Sequence, residues 1–391
     1  GRTARIGALK VMGNELYMGG RFSINSEVHY LGRWEGLNRG APLGAGVNGA
    51  VEALAKIDTI LYAGGWFSMA GDSEANHIAM WDGTTWSPLG TGTDTGVSAL
   101  ATSGSDLYAG GWFTTAGGVE VNHIAKWNGS SWEALGAGLH RGRSATVYAI
   151  AFLGDDLYAA GLFTRAGEGA ASNIAKWDGA SWSPLGSGTD DTIWSLAVMD
   201  GELYVGGSFS TAGGVAANHI AKWNGHQWSA LGSGLDRNVI ALTVSGGHLD
   251  AGGVFDQAGG TQVNSIARWD GTSWSPLGSG VHDSFDEGVY ALAARGTELF
   301  VGGAFSLAGG KVSSALARVF LEDVPFIEVD GSHKHLHFRG ISAGPYRIER
   351  SGDLRAWESL GIRFAGQTGG IDFADTNAFP AAFYRAVPVE P

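Results

Sequence analysis

Cysteine is absent from the 391 residues, which excludes disulfides and thiol catalysis while leaving the compartment open. Charged residues are scarce at 16%, and the formal net charge is −13. A surface of that sign repels phosphate backbones and anionic lipid heads, so no nucleic-acid partner is expected. No run approaches the roughly 18 apolar residues of a membrane helix, so no membrane insertion is expected either. Proline occurs only nine times and glycine follows no strict third-residue period, which excludes collagen. A 44% hydrophobic content argues against disorder. The chain opens on Gly1 rather than methionine, and an upstream segment, a signal peptide among the candidates, is expected.

What is abundant is glycine, 65 copies against about 27 for average usage, together with 15 Trp. These residues recur in register. The string L-Y-x-G-G-x-F, or a close variant, starts at Leu16, Leu61, Leu107, Leu157, Leu203, Leu249 and Leu299, at intervals of 45, 46, 50, 46, 46 and 50 residues. Each unit runs V-x-A-L, L-Y-A-G-G-x-F, N-H-I-A-K-W-(D/N)-G and W-x-x-L-G-x-G. Four short β-prone segments per period are the content of one propeller blade.

Each segment has a physical reading. The pairs Asp82-Gly83, Asn128-Gly129, Asp178-Gly179, Asn224-Gly225 and Asp270-Gly271 supply positive φ for a tight hairpin between third and fourth strands. Paired glycines such as Gly64-Gly65 and Gly110-Gly111 fall inside a strand, where they point to a backbone approach too close for a Cβ. The pairs Trp81/Trp86, Trp127/Trp132, Trp177/Trp182, Trp223/Trp228 and Trp269/Trp274 are expected to fill the space between blades.

On these residues the chain resembles the kelch-type propeller family: a strand ending in Gly-Gly, then an aromatic, then a later Trp. The resemblance covers residues 1–320 and departs from the usual unit in placing W-(D/N)-G where a tyrosine is typical. It implies an all-β, seven-bladed β-propeller and, by itself, no activity. Residues 321–391 lose the repeat. Strands are expected there at Phe326–Val329, His335–Phe338, Tyr346–Arg350, Ile371–Phe373 and Phe383–Val387. The motifs from Tyr346 to Leu360 and around Phe383-Tyr384-Arg385 look like a small immunoglobulin- or fibronectin-like β-sandwich of secreted environmental bacterial proteins. That resemblance implies secretion and a role in attachment or spacing, with Trp357 and Phe383 as core.

One strand is missing from the count. W-x-x-L-G-x-G ends at Gly92, Gly138, Gly188, Gly234 and Gly280, and a degraded copy spans Pro42–Gly46, while the seventh unit leaves the pattern after Val319. Three origins are open: residues upstream of Gly1, which aligns with the final glycine of that motif; the segment Val324 to Val329; or a neighbouring molecule, whose strand would add to the free edge.

Candidate binding residues come from variation between repeats. The variable residue of V-x-A-L is Gly7, Glu52, Ser98, Tyr148, Trp194, Ile240 and Tyr290 around the ring. Tyr148, Trp194, Tyr290 and Glu52 are suited to stacking on a sugar and bonding its hydroxyls, the alternative being packing between blades. Trp66 and Trp112 join them if exposed. Two between-blade loops carry four extra residues, Leu139–Thr146 and Val281–Gly288. Acids gather in such loops at Asp94, Asp190, Asp191, Asp236, Asp283, Asp286 and Glu287. Calcium needs six to eight converging oxygens, and no D-x-D-x-D-G spacing is present, so neither a cofactor nor a metal is expected. His77, His123 and His219 hold equivalent positions that should radiate rather than converge, favouring a structural hydrogen bond.

No catalytic constellation emerges. Copper oxidases of this architecture need a cysteine, and D-G-x-x-W is not the sialidase aspartate box. Three functions are carried forward. The first is a non-catalytic extracellular scaffold, associating with itself or another extracellular protein. The second is a lectin-like binder of polysaccharide, and the third a glycan hydrolase or lyase using loop carboxylates.

Overall fold

The computed structural model describes residues 4–24, 27–34, 40–142, 144–282, 288–296, 298–320, 326–330, 333–338, 344–351, 358–365, 371–375 and 383–388. They divide into two compact units, Gly1–Val319 and Phe320–Pro391. The described residues form strands and turns without a helix.

The first unit is built on seven principal antiparallel sheets, six of four strands and a last one of three among the described residues, with small two- and three-stranded ribbons beside them. The second sheet is representative: Ala50–Ile57, Ile60–Trp66, Ile78–Trp81 and Trp86–Pro88 pair in chain order. The first strand of each sheet packs against the first strand of the next. Gly288–Arg295 of the seventh returns to pack against Arg5–Met12 of the first. This is the architecture of a β-propeller.

The paired glycines explain how the sheets come together. In all seven inner hairpins the register slips by one residue at the V-x-A-L motif. Val51 faces Gly65 and Ala53 faces Gly64, leaving Glu52 as the extra residue of a β-bulge. The two glycines answer different demands. A Cβ on Gly64 would stand 2.5 Å from Val97 Cγ1 of the next sheet, whereas one on Gly65 would stand 2.0 Å from the carbonyl oxygen of Ala50 in its own hairpin. The first glycine admits the neighbouring sheet; the second admits the bulge. The closing contact obeys the same rule: a Cβ on Gly302 would stand 2.6 Å from Ile6 Cγ2.

Tryptophan joins the outer parts of successive sheets. The indole Nε1 of Trp86 donates to the carbonyl of Leu43 in the preceding sheet at 2.9 Å. Trp132, Trp182, Trp228 and Trp274 repeat this bond to Leu89, Leu135, Leu185 and Leu231. Each of these rings also lies 5.3–5.4 Å from the Trp paired with it across the outer hairpin. In that hairpin only the glycine takes positive φ, Gly83 at 103° for instance. Asp82 works through its carboxylate instead, accepting the amides of Thr84 and Thr85 at 2.7 Å each. The expected Asx-Gly turn is therefore an Asx cap followed by a left-handed glycine.

The seventh sheet ends on Leu316–Phe320. The origin proposed for its fourth strand in Val324 to Val329 is corrected here. Phe326–Asp330 pairs with His333–Phe338 and belongs to a sheet of the second unit, not to the seventh sheet. Where the first and seventh sheets meet, Trp34 packs edge-on to Phe300 at 5.5 Å, and the Arg318 guanidinium covers Trp34.

The second unit contains two three-stranded antiparallel sheets. Phe326–Asp330, His333–Phe338 and Ile371–Asp375 make one; Glu358–Ala365, Gly344–Ser351 and Phe383–Pro388 make the other. Ile371 of the first meets Tyr346 and Ile348 of the second in a small buried cluster flanked by Leu360, Phe373 and Tyr384. The strand Glu358–Ala365 was not expected. Trp357 lies outside the described residues, as does the side chain of Phe383.

His77, His123 and His219 share a left-handed backbone, with φ of 67°, 73° and 64°. The structural hydrogen bonds there run through the main chain: Gly65 N–H donates to His77 O at 2.9 Å and His77 N–H to Phe67 O at 2.8 Å. Burial is the largest influence on the three rings and lowers their pKa. The backbones of Gly65, Gly111 and Gly207 and the carboxylates Asp94, Asp190 and Asp236 oppose it, and His140 adds to it at His123.

Two outcomes are expected. Gly252→Ala displaces a valine side chain and should cost about 1–3 kcal/mol, as the natural Ala160 at the same position of the fourth sheet suggests. Gly253→Ala meets the Asn238 carbonyl at 2.1 Å and should exceed about 4 kcal/mol; comparing the two melting temperatures checks this. The histidines prefer to stay neutral in the fold. Their contribution is whole above the unfolded pKa of about 6.5 and is lost as pH falls below it. Thermal stability should drop as pH falls below about 6.5, starting before the carboxylates titrate. A triple His77→Asn, His123→Asn, His219→Asn variant, copying Asn173 of the fourth sheet, should flatten that profile.

Candidate functional site

The bulge decides where the variable residue of V-x-A-L goes. The extra residue leaves the ladder, and its side chain leaves the alternation that buries its neighbours. All seven, Gly7, Glu52, Ser98, Tyr148, Trp194, Ile240 and Tyr290, are half-buried, whereas the flanking valine or isoleucine is fully enclosed. A second ring of positions follows the paired glycines: Arg21, Trp66, Trp112, Leu162, Ser208, Val254 and Ala304. Trp66 and Trp112 are 46% and 40% exposed, whereas Trp86, Trp132, Trp228 and Trp274 are buried.

Four of the six candidate residues come together. Trp66 lies 6.3 Å from Trp112, Trp112 lies 6.3 Å from Tyr148, and Tyr148 lies 4.4 Å from Trp194, measured between ring centroids. The result is an unbroken aromatic arc across the second to fifth sheets. Trp66 covers Gly96, where an added Cβ would stand 2.5 Å from the indole. The His77 ring meets Trp66 edge-on at 6.2 Å. Trp194 is fixed by a bond from its Nε1 to Ser208 Oγ at 2.8 Å. Burial raises the pKa of the Tyr148 hydroxyl, so it is neutral at ordinary pH.

The other two candidates stand apart from the arc. Tyr290 lies under the guanidinium of Arg5, 4.3 Å from the ring centroid. Glu52 lines a cleft of about 260 Å³ with Arg5, Gly7, Gly20, Arg21, Ala50 and Val51. Arg5, Arg21 and Ser208 escaped the reading of the sequence. The signal was present for Arg21, which occupies the column of Trp66 and Trp112.

The loop acids have structural tasks. Asp94 accepts the amides of Thr114 and Thr115 at 2.8 and 3.0 Å, Asp190 those of Ser210 and Thr211 at 2.9 and 2.8 Å, and Asp236 those of Asp256 and Gln257 at 3.0 and 2.9 Å. These bonds and the Thr114 and Ser210 hydroxyls hold Asp94 and Asp190 below the usual carboxylate range against the opposing effect of burial. Asp191 accepts the Thr192 amide at 2.6 Å. Asp283, Asp286 and Glu287 lie outside the described residues, which hold no metal-sized cluster of His, Asp and Glu. Of the two longer loops, Leu139–His140 pairs with Arg165–Ala166 and Val281–His282 with Leu307–Ala308. Shorter loops make a single bridge there, as Val47 does to Ala70. The fully buried Asp250 is committed as well, bonded by Arg268 Nε at 2.8 Å and by the Ser245 hydroxyl.

Comparison with known proteins bears on the fold alone. A model of a β-propeller domain of unknown function, DUF5122, matches residues 200–224. Those residues are the second and third strands of the fifth sheet with the turns around them. No curated protein matches. Among solved structures, the β-propeller domain of the Trilobed protease from Pyrococcus furiosus, described as having an open velcro topology, aligns at 9% identity with a TM-score of 0.42. The alignment covers 78% of this chain and 93% of that one. The repeated sheets and the family model agree: this is an all-β chain built on a β-propeller.

Proposed function

We propose that the chain is a non-catalytic, carbohydrate-binding propeller, its seven sheets being the blades of one kelch-like ring and the second unit an immunoglobulin- or fibronectin-like β-sandwich of a secreted protein. The observation that carries this reading is the aromatic arc Trp66, Trp112, Tyr148 and Trp194, exposed at its first two rings and half-buried at the other two. Contiguous exposed aromatics on a soluble surface mark a recognition site. A sugar ring offers what such an arc accepts, an apolar C–H face for the indoles and hydroxyls at its rim. Ser98 and Glu52 stand next in the ring of bulge positions and supply polar partners. Several rings in a row suit successive units of a polysaccharide better than one small molecule.

The arc offers no chemistry of its own. Among the described residues the adjoining cleft holds a single carboxylate, Glu52, while glycoside hydrolysis ordinarily employs a pair. A second reading, a self-associating extracellular scaffold, draws on a different observation: the seventh sheet has three strands among the described residues, with Leu316–Phe320 at its edge. Unpaired strand edges invite strand addition from another chain.

Affinity electrophoresis through immobilised neutral and acidic polysaccharides tests the first reading. At least one polymer should retard the protein, and Trp112→Ala should weaken that binding about 30-fold, the loss of one interface anchor. Mobility untouched by every polymer would sink it. Light scattering across a concentration series tests the second: mass rising with concentration supports assembly, and a constant 40.6 kDa removes it.

A further inference from the structure

Each of the second to fifth sheets carries one aromatic residue at its bulge or post-glycine position, but the first sheet carries none. There the bulge residue is Gly7 and the post-glycine residue is Arg21. The missing side chain at Gly7 opens the cleft of about 260 Å³, into which Arg5, Arg21 and Glu52 all face. The Glu52 carboxylate lies over Gly7, 3.5 Å from where a Cβ would stand. Among the described residues the Arg5 guanidinium rests on the Tyr290 ring. Neither guanidinium takes part in an ion pair or a side-chain hydrogen bond among the described residues, whereas Arg33, Arg237, Arg268 and Arg295 do. Two unpaired guanidiniums and one carboxylate give the cleft a positive balance on a chain of net charge −13.

Resting on the carbohydrate reading above, we infer that the ligand is an acidic polysaccharide and that this cleft receives a sugar carboxylate on Arg5 and Arg21. A guanidinium presents a planar pair of N–H donors that matches a carboxylate. The Tyr290 ring pre-orders the Arg5 head group through a cation–π contact and reduces the entropy lost on binding. Glu52, an acceptor in the same lining, bonds a neighbouring hydroxyl and repels a second acid. The aromatic arc grips the sugar faces while the cleft reads charge. This division explains why tryptophan recurs at the post-glycine position in two sheets and arginine takes it in the first.

The test compares alginate, polygalacturonate and hyaluronan with the carboxyl-reduced form of each, in which –COO⁻ becomes –CH₂OH on the same backbone. Dextran sulfate serves as a general polyanion. Binding of the full chain is followed by calorimetry at low and high salt. At least one uronate should bind about tenfold or more tightly than its reduced form, as loss of a charged hydrogen bond implies, and salt should erase the difference. Arg21→Gln should remove the preference while leaving affinity for the reduced polymer unchanged. Gly7→Trp, which fills the cleft with a residue that this position carries in the fifth sheet, should do the same. Equal binding of acid and reduced forms, still weakened by Trp112→Ala, overturns the acidic ligand and leaves the carbohydrate reading standing. No binding of any polymer overturns both. Dextran sulfate binding as tightly as the best uronate and losing affinity equally in Arg21→Gln overturns carboxylate recognition in favour of charge alone.

Discussion

Everything in the first unit depends on how close one inner strand can come to the next. The approach is made at the glycine pair, where one α-carbon faces the valine of the following sheet and the other faces the carbonyl of a bulge. Neither position has room for a side chain without displacement. The spacing between sheets is therefore fixed at the innermost strand, and the indole-to-carbonyl bonds of the fourth strands tie the outside to that spacing. A repeat of this kind tolerates variation wherever it does not touch these contacts.

The bulge links architecture to recognition. It is required by the packing, since the second glycine of each pair exists to receive its carbonyl, and it turns one side chain per sheet out of the ladder. Seven positions are thereby released from the core without weakening it. The chain uses these positions, and those that follow the glycine pairs, unevenly. Aromatic residues occupy neighbouring sheets and form a continuous surface, glycine opens a cleft, and arginine and glutamate line it. The two rings of positions together yield an apolar arc of mutually tilted rings and a charged recess. The sixth sheet makes a different exchange: Asp250 replaces the tyrosine of the motif and Arg268 the lysine, and the two form a buried pair. Asp250→Tyr alone would leave Arg268 without its partner, so the two substitutions belong together.

Most of the scaffold was legible in the sequence because each element repeats a local demand. The hairpins announce themselves through Asx-Gly pairs and the sheet contacts through recurring Gly-Gly and Trp, each set by neighbours only a strand away. The second unit was less legible. Its strand Glu358–Ala365 has no repeat to align with, and its sequence E-S-L-G-I-R-F-A interrupts the apolar alternation with a glycine at Gly361, where the register slips. One of the three origins open for the missing fourth strand, Val324 to Val329, failed for a related reason. Phe326–Asp330 has the composition of a strand but carries nothing that names its partner, and pairing was decided by the sheet it joined.

The sequence by itself determined the unit, its number of copies and the residues that vary between them, because periodicity is a property of the chain read along its length. Only the tertiary structure decided which of those variable residues become neighbours. Trp66 and Trp194 lie 128 positions apart, yet they belong to one arc, since each ring reaches its counterpart in the next sheet. Tyr290 looked like a member of the same set and is instead covered by Arg5, from the opposite end of the chain. Adjacency across sheets depends on the angle at which each bulge releases its side chain and on what the following sheet leaves open. Those quantities are fixed by packing between sheets, which no single repeat contains.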